Sequence, residues 1–314
     1  MKRPFLMTLT KYKYLCSLIT LLLVCFYSSV STARDLEQIK SEGVLRHIGV
    51  PYANFITLYT EGDHTTVGGL DAELMQGFAQ HLGLEYEFIE ASWSNAFTLL
   101  TGKSASYINN QLQRGQIDHG IEGDVIANGA TILPWRSEVV DFSIDYFPSS
   151  VWLVAKAESD LIPITPTGSI QQDIIAVKKL INNHDVLAMK QTCLDPDLYD
   201  LYDTDANIIL PVTELKLNEM IPAILNNDAE STLLDVPDTL IALQKWPGEI
   251  KVIGPVSEDQ RMAIAFRKDS PKLREEFNHY LQEMRKSGEY NQLVKKYYPS
   301  VFNFYPDFFK IKNQ

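Results

Sequence analysis

The sequence predicts an α/β chain of two lobes, with helices on both faces of each sheet. Two observations carry that expectation. Strand-like and helix-like segments alternate along nearly the whole chain, as in βα units. Once a leader is set aside, about 280 residues remain, enough for two lobes of ordinary domain size.

The leader comes first. Lys2, Arg3, Lys11 and Lys13 form a basic n-region ahead of the apolar run Leu15 to Val30. Ser31, Thr32 and Ala33 then supply the small residues of a cleavage site, so residues 1–33 read as a signal peptide rather than a retained anchor. Lipid attachment at Cys25 is disfavoured, because Val24 stands where a small residue is needed. Cleavage would remove four basic residues and no acidic one, taking the formal charge from −12 to −16. So acidic a chain argues against nucleic acid or anionic lipid as a partner. Cys16 and Cys25 leave with the leader. Cys193 is then alone, cannot form an intramolecular disulfide, and reads as a small packed residue rather than a nucleophile. No later segment approaches membrane-spanning length, so the mature chain is expected to be soluble; it is separately expected to be a monomer.

Val44 to Val50 reads as a buried strand. Leu70, Leu74, Phe78 and Leu82 recur every four residues on one helix face, which Gly83 closes. Leu84, Tyr86 and Phe88 alternate as a strand. A helix is expected over Ile108 to Arg114 and a short strand over Ile117 to Ile121. Further strands are expected at Val151 to Ala155, Val186 to Met189, Ile208 to Pro211, Ser231 to Leu234 and Ile250 to Ile253. Helices are expected at Gln171 to Asn182, Glu214 to Asn226 and Val236 to Gln244. Asp195 and Pro196 suit an N-cap and first helical position. Ser270 and Pro271 start a long helix with Leu273, Phe277, Leu281 and Met284 inward. Ser287-Gly288 ends it before a last helix, Glu289 to Tyr297. The aromatic tail from Tyr298 has no period and is expected to pack on the first lobe.

The chemistry concentrates in Asn128 to Ser143, where Thr131 and Arg136 share one short loop. A guanidinium offers a planar fork of donors and a hydroxyl adds one more, together a clamp for a carboxylate. The ordinary alternative is a surface arginine paired with Glu138. Asp235 precedes Val236-Pro237 and could cap a helix, hold a ligand cation, or do both. Trp93 and Tyr52 could stack on a ligand or on a core. The five aspartates between Asp195 and Asp205 lack the turn glycine of a calcium loop and read as a solvated acidic face. Scattered histidines and missing glycine-rich loops leave no metal or cofactor expected.

The segments Ile39 to Val50, Gly69 to Met75, Thr131 to Ser143 and Ile264 to Pro271, with Gly288 to Asn291 and Lys295 to Tyr297, resemble the solute-binding proteins of polar amino acid ABC transporters. The resemblance implies a two-lobed type II periplasmic-binding fold with hinge strands and a ligand in the interlobe cleft. It implies lobe 1 over 34–148, lobe 2 over 149–260 and a return to lobe 1 over 261–314. By position it implies that Thr131 and Arg136 hold a ligand carboxylate, that Asp235 meets an ammonium, that Trp93 and Tyr52 (or Phe55) form aromatic walls, and that Lys190 lies near the second lobe's ligand edge. The implied partners are a small carboxylate-bearing solute, most simply an amino acid or derivative, and an inner-membrane ABC permease, met in the periplasm. The family places its threonine seven residues after a strand aspartate. Counted from Asp118 the interval here is thirteen, so 124–129 reads as an insertion, and 95–110 also reads as long. Two other classes stay open. One is an enzyme of cyclohexadienyl-dehydratase type, with Glu122 or Asp124 as acid. The other is a ligand-sensing module for a membrane partner.

Overall fold

A computed structural model describes residues 34–62, 64–118, 120–211 and 216–310. The expected leader and Cys25 lie outside these residues, as do 311–314. Asp35 caps the short helix α1 (Leu36–Glu42), and Gly43, at φ +78, turns the chain into β1 (Val44–Gly49). A small hairpin follows, β2 (Thr57–Glu61) and β3 (His64–Gly68), then α2 (Leu70–Leu82) and β4 (Glu85–Glu90). α2 buries Leu70, Leu74 and Phe78, the face its four-residue spacing anticipates, and Gly83 ends it left-handed.

Next come α3 (Ala96–Thr101), β5 (Lys103–Ile108), β6 (Gln111–Asp118), β7 (Val125–Ile126), α4 (Pro134–Val139) and β8 (Asp141–Phe142). The helix expected over Ile108 to Arg114 is not there. β5 and β6 form an antiparallel hairpin, and Asn109 and Asn110 turn it at φ +50 and +58. Asparagine tolerates that left-handed pair, the requirement of a two-residue hairpin turn. The strand expected over Ile117 to Ile121 belongs to β6 only as far as Asp118. β7 is the strand that enters the first sheet, and Asp124 heads it, seven residues before Thr131. Counted from Asp124, the interval to Thr131 is the seven residues that the resemblance implies, and Asp118, from which thirteen was counted, lies on the β5–β6 hairpin.

β9 (Phe147–Ser149) leads to a second sheet built from β10 (Val151–Lys156), α5 (Ile170–Leu180), β11 (Asp185–Leu187), β12 (Asn207–Ile209), α6 (Met220–Leu225), β13 (Ser231–Asp235), α7 (Val236–Lys245) and β14 (Ile250–Pro255). α6 is shorter than the expected helix over Glu214 to Asn226. A 3-10 turn, Leu217–Glu219, precedes it, and 212–215 lie outside the described residues. β15 (Gln260–Met262) returns to β16 (Ala265–Phe266), followed by α8 (Pro271–Ser287), α9 (Glu289–Tyr297) and α10 (Val301–Phe304).

The first sheet runs β4-β1-β7-β16-β8 and the second β12-β11-β13-β10-β14. β9 and β15, the two segments that join them, pair antiparallel from Phe147–Met262 to Ser149–Gln260. Two sheets linked by a paired double crossing place the loops after β7 and β13 at the gap between lobes.

The aromatic tail reaches farther than the first lobe. Tyr298, Val301 and Phe309 are buried. The Phe309 ring lies 6.1 Å from that of Phe147 on β9, and Phe304 lies 6.3 Å from Trp152 on β10. The tail thus packs against both the crossing strand and the second lobe.

Candidate functional site

Arg136 is reached from β7 by a loop that the core fixes. The Oδ2 of Asp71 on α2 accepts from the Gly129 amide at 2.7 Å and the Tyr146 hydroxyl at 2.6 Å. Burial pushes the Asp71 carboxyl up to about 7, against the pull of those two donors. Pro134 opens α4 at a position where its missing N–H costs nothing. Arg136 then points inward and is fully buried.

Its surroundings are aromatic. The guanidinium carbon lies 5.1 Å from the Trp93 ring, 5.4 Å from Trp135 and 5.7 Å from Phe97. Nη1 donates to the Thr131 carbonyl at 3.1 Å, while Nε and Nη2 find no partner among the described residues. The Thr131 hydroxyl and the Trp93 indole N–H are also buried and unpartnered. The Thr131 hydroxyl lies near the Cys193 thiol without making a hydrogen bond of ordinary geometry. Glu138, the expected surface alternative for Arg136, sits 3.8 Å from Arg114 on the hairpin instead.

Asp235 faces this group from the second lobe. It ends β13 and caps α7, its Oδ1 accepting from the Asp238 amide at 3.2 Å. Its Oδ2 accepts from the Tyr52 hydroxyl and lies 3.5 Å from the Cys193 thiol, which donates to it. Burial raises the Asp235 carboxyl to about 6, with Tyr52, Asp238 and Cys193 pulling it back. Burial and then Asp235 push the Cys193 thiol well up, and the Arg136 charge opposes them. Residues from both lobes are thus in contact, with no more than 3 % exposure at Tyr52, Thr131, Arg136, Cys193 or Asp235.

Of the six expected site residues, the structure brings five together: Thr131, Arg136, Trp93, Tyr52 and Asp235. Lys190 is placed otherwise. Its ammonium lies 2.5 Å from Asp197, 3.4 Å from Asp195 and 5.0 Å from the Tyr202 ring centre. Burial alone would lower its pKa, but the Asp197 hydrogen bond and the Asp195 charge raise it. Nor is the aspartate-rich stretch one solvated face. Asp195 is buried and caps the 3-10 turn Pro196–Tyr199. Phe55 packs in the lobe 1 core, stacked on Tyr52 with ring centres 5.7 Å apart. Glu122 is exposed, and the Asp124 carboxylate accepts from the Arg46 amide at 2.9 Å.

Sequence reasoning did not bring Cys193 to this site, and it did not single out Asn128 in the same loop as Thr131. Asn128 is fully buried with both amide atoms unpartnered, and it lies three residues before Thr131 in the same loop. Its place in that loop was the available signal. The hairpin adds a further wall. Tyr107 lies parallel to Trp135, at 5.9 Å between ring centres, and with Asn110, Asp197, Tyr199 and Asp200 lines a groove of about 360 Å³. Burial, followed by Asp197, Asp195 and Asp200, raises the Tyr107 phenol. Among the described residues, no three His, Cys, Asp or Glu side chains gather as a metal site.

Residues 48–300 match the bacterial extracellular solute-binding proteins, family 3. A membrane-bound lytic murein transglycosylase F of Desulfosudis oleivorans is 24% identical over 279 residues, 89% of this chain and 54% of that protein. The chain therefore spans about half the length of that relative. An arginine-binding extracellular protein of Bacillus subtilis is 26% identical over 250 residues, 76% of this chain and 80% of the relative. In structure, an amino acid ABC transporter substrate-binding protein of Streptococcus pneumoniae, solved bound to L-arginine, superposes with a TM-score of 0.64 at 22% identity. That match covers 84% of this chain and 98% of the other. The shared architecture is the two-lobed binding-protein fold.

Proposed function

Because the chain belongs to family 3 of the bacterial extracellular solute-binding proteins, we propose that it captures a small carboxylate-bearing solute between its lobes and delivers it to an ABC importer. The observation that carries this reading is Arg136, a fully buried cation whose Nε and Nη2 have no partner among the described residues. An unpaired buried charge costs several kcal/mol, and a carboxylate held by Nε, Nη2 and the Thr131 hydroxyl would offset that cost. Trp93 adds an indole donor and a flat wall, with the Tyr52 ring set edge-to-face against it at 6.2 Å between ring centres. A ligand seated between Arg136 and the second lobe favours the closed arrangement, since it touches both lobes only there. Carriage rather than catalysis agrees with the amino-acid-binding names among the relatives. A periplasmic site of action rests on the leader read in residues 1–33. A sensing role would use the same closure and differs only in the membrane partner.

A thermal-shift screen of amino acids, their oxo and hydroxy analogues, and cyclic carboxylic acids tests the reading. Ligand at about 100 times its dissociation constant should add roughly 2.7 kcal/mol of stability, and Arg136→Ala should remove that gain. A gain that survives in the variant rejects the assignment. Turnover of a cyclic acid by the pure protein would make it an enzyme instead.

A further inference from the structure

The polar groups of the cleft are lopsided. On the lobe 1 side, donors are left over: Arg136 Nε and Nη2, the Thr131 hydroxyl and the Trp93 indole N–H are all buried without a partner among the described residues. On the lobe 2 side, the one carboxylate of the group is occupied. Asp235 Oδ2 takes the Tyr52 hydroxyl and the Cys193 thiol, and Oδ1 takes the Asp238 amide. An amino acid brings one anion and one cation. Its carboxylate answers the spare donors. Its ammonium brings three N–H donors to a carboxylate that already accepts three, with one acceptor site left on Oδ1, so bonding to Oδ2 as well means competing with the Tyr52 phenol at a site 2% exposed.

We infer that the preferred ligand is a small carboxylic acid with no ammonium on the adjacent carbon, of the 2-oxo or 2-hydroxy acid class, because the Tyr52 hydroxyl stands in for that ammonium at Asp235. Tyr52 and Cys193 are then specificity residues. They keep Asp235 hydrogen-bonded when the lobes meet, whatever the ligand carries next to its carboxylate. An oxo or hydroxyl oxygen beside the carboxylate can accept from the donors that the carboxylate leaves over. This inference rests on the carboxylate reading of Arg136.

The test is isothermal calorimetry on matched pairs, each of the common amino acids against its own 2-oxo and 2-hydroxy acid. In the pairs that bind, the acid without nitrogen is expected to bind about tenfold tighter or more, a difference of about 1.4 kcal/mol. Tyr52→Phe keeps the ring and removes the donor. It should narrow or reverse that preference by freeing Asp235 for an ammonium, while Arg136→Ala should abolish binding of both members. Amino acids binding tighter than their oxo and hydroxy partners in the wild-type protein overturn this inference alone. So does a preference that Tyr52→Phe leaves untouched. No binding by any member of the panel overturns this inference alone; no binding by these acids or by cyclic carboxylic acids overturns the carboxylate reading itself.

Discussion

The side chains of Tyr52 and Asp235 meet between the lobes, the phenol of one donating to the carboxylate of the other. Tyr52 belongs to the loop after β1, and Asp235 joins β13 to α7. One hydrogen bond therefore spans two sheets that the chain connects only through β9 and β15.

Tyr52→Phe should loosen that contact. Losing one donor to a buried carboxylate costs about 1–3 kcal/mol. Chemical denaturation is expected to show that loss, and small-angle scattering a larger radius of gyration from a greater share of separated lobes. Unchanged values in both would mean that the bond contributes nothing to closure.

Arg136→Met should leave the free protein as stable as before or more so. Replacing even a buried ion pair with apolar side chains of similar volume is often neutral or stabilising by about 1–4 kcal/mol, and an unpaired buried ion has no partner's attraction to lose. Three aromatic rings already line the space. Melting curves with and without a bound carboxylate should show the free melt held and the ligand-induced rise gone.

Asp71→Asn should flatten the dependence of stability on pH. Burial holds this carboxyl at about 7 in the folded chain, against roughly 4 when unfolded. Between those values folding takes up a proton, so its contribution to stability grows as pH falls from 7 towards 4 and shrinks as pH rises. Asp235, held near 6, acts in the same direction and stays in the variant. Glu73 and Glu230, whose carboxyls lie below their usual range, act oppositely at lower pH. Denaturant midpoints at pH 5 and 7 should differ less in the variant than in the wild type.

Gly129→Ala should destabilise the protein and weaken binding together. Gly129 has φ +68, and a methyl group there would come within 2.6 Å of the Phe55 ring and 3.1 Å of Tyr52. The strained backbone and the clash together should cost about 2 kcal/mol or more. Equilibrium unfolding and calorimetry on the same sample would show both losses.

Helix faces were legible where spacing and a stop signal agreed, as in α2 with Gly83 and α8 with Gly288. The β5–β6 hairpin was not. Its apolar residues are sparse on both strands, and the Asn109-Asn110 turn lacks the glycine that usually marks one. That miss carried into the spacing argument, because Asp118 sits on the hairpin and Asp124 heads the sheet strand. In the candidate site, Thr131 and Arg136 stood out only by residue type and family resemblance together, since residue type alone leaves a surface arginine paired with Glu138. What occupies Asp235 was invisible, since Tyr52 and Cys193 lie 183 and 42 residues away along the chain. Short-range patterns cannot register a contact that only tertiary packing creates.

Cys193 is 3% exposed and is the free cysteine of the described residues. It sits on the seam where the lobes touch. A thiol-modifying reagent should reach it only during moments when the halves part. The rate of its modification would then serve as an internal clock of breathing, readable without a fluorophore or an introduced label, and any compound that holds the halves together would slow it.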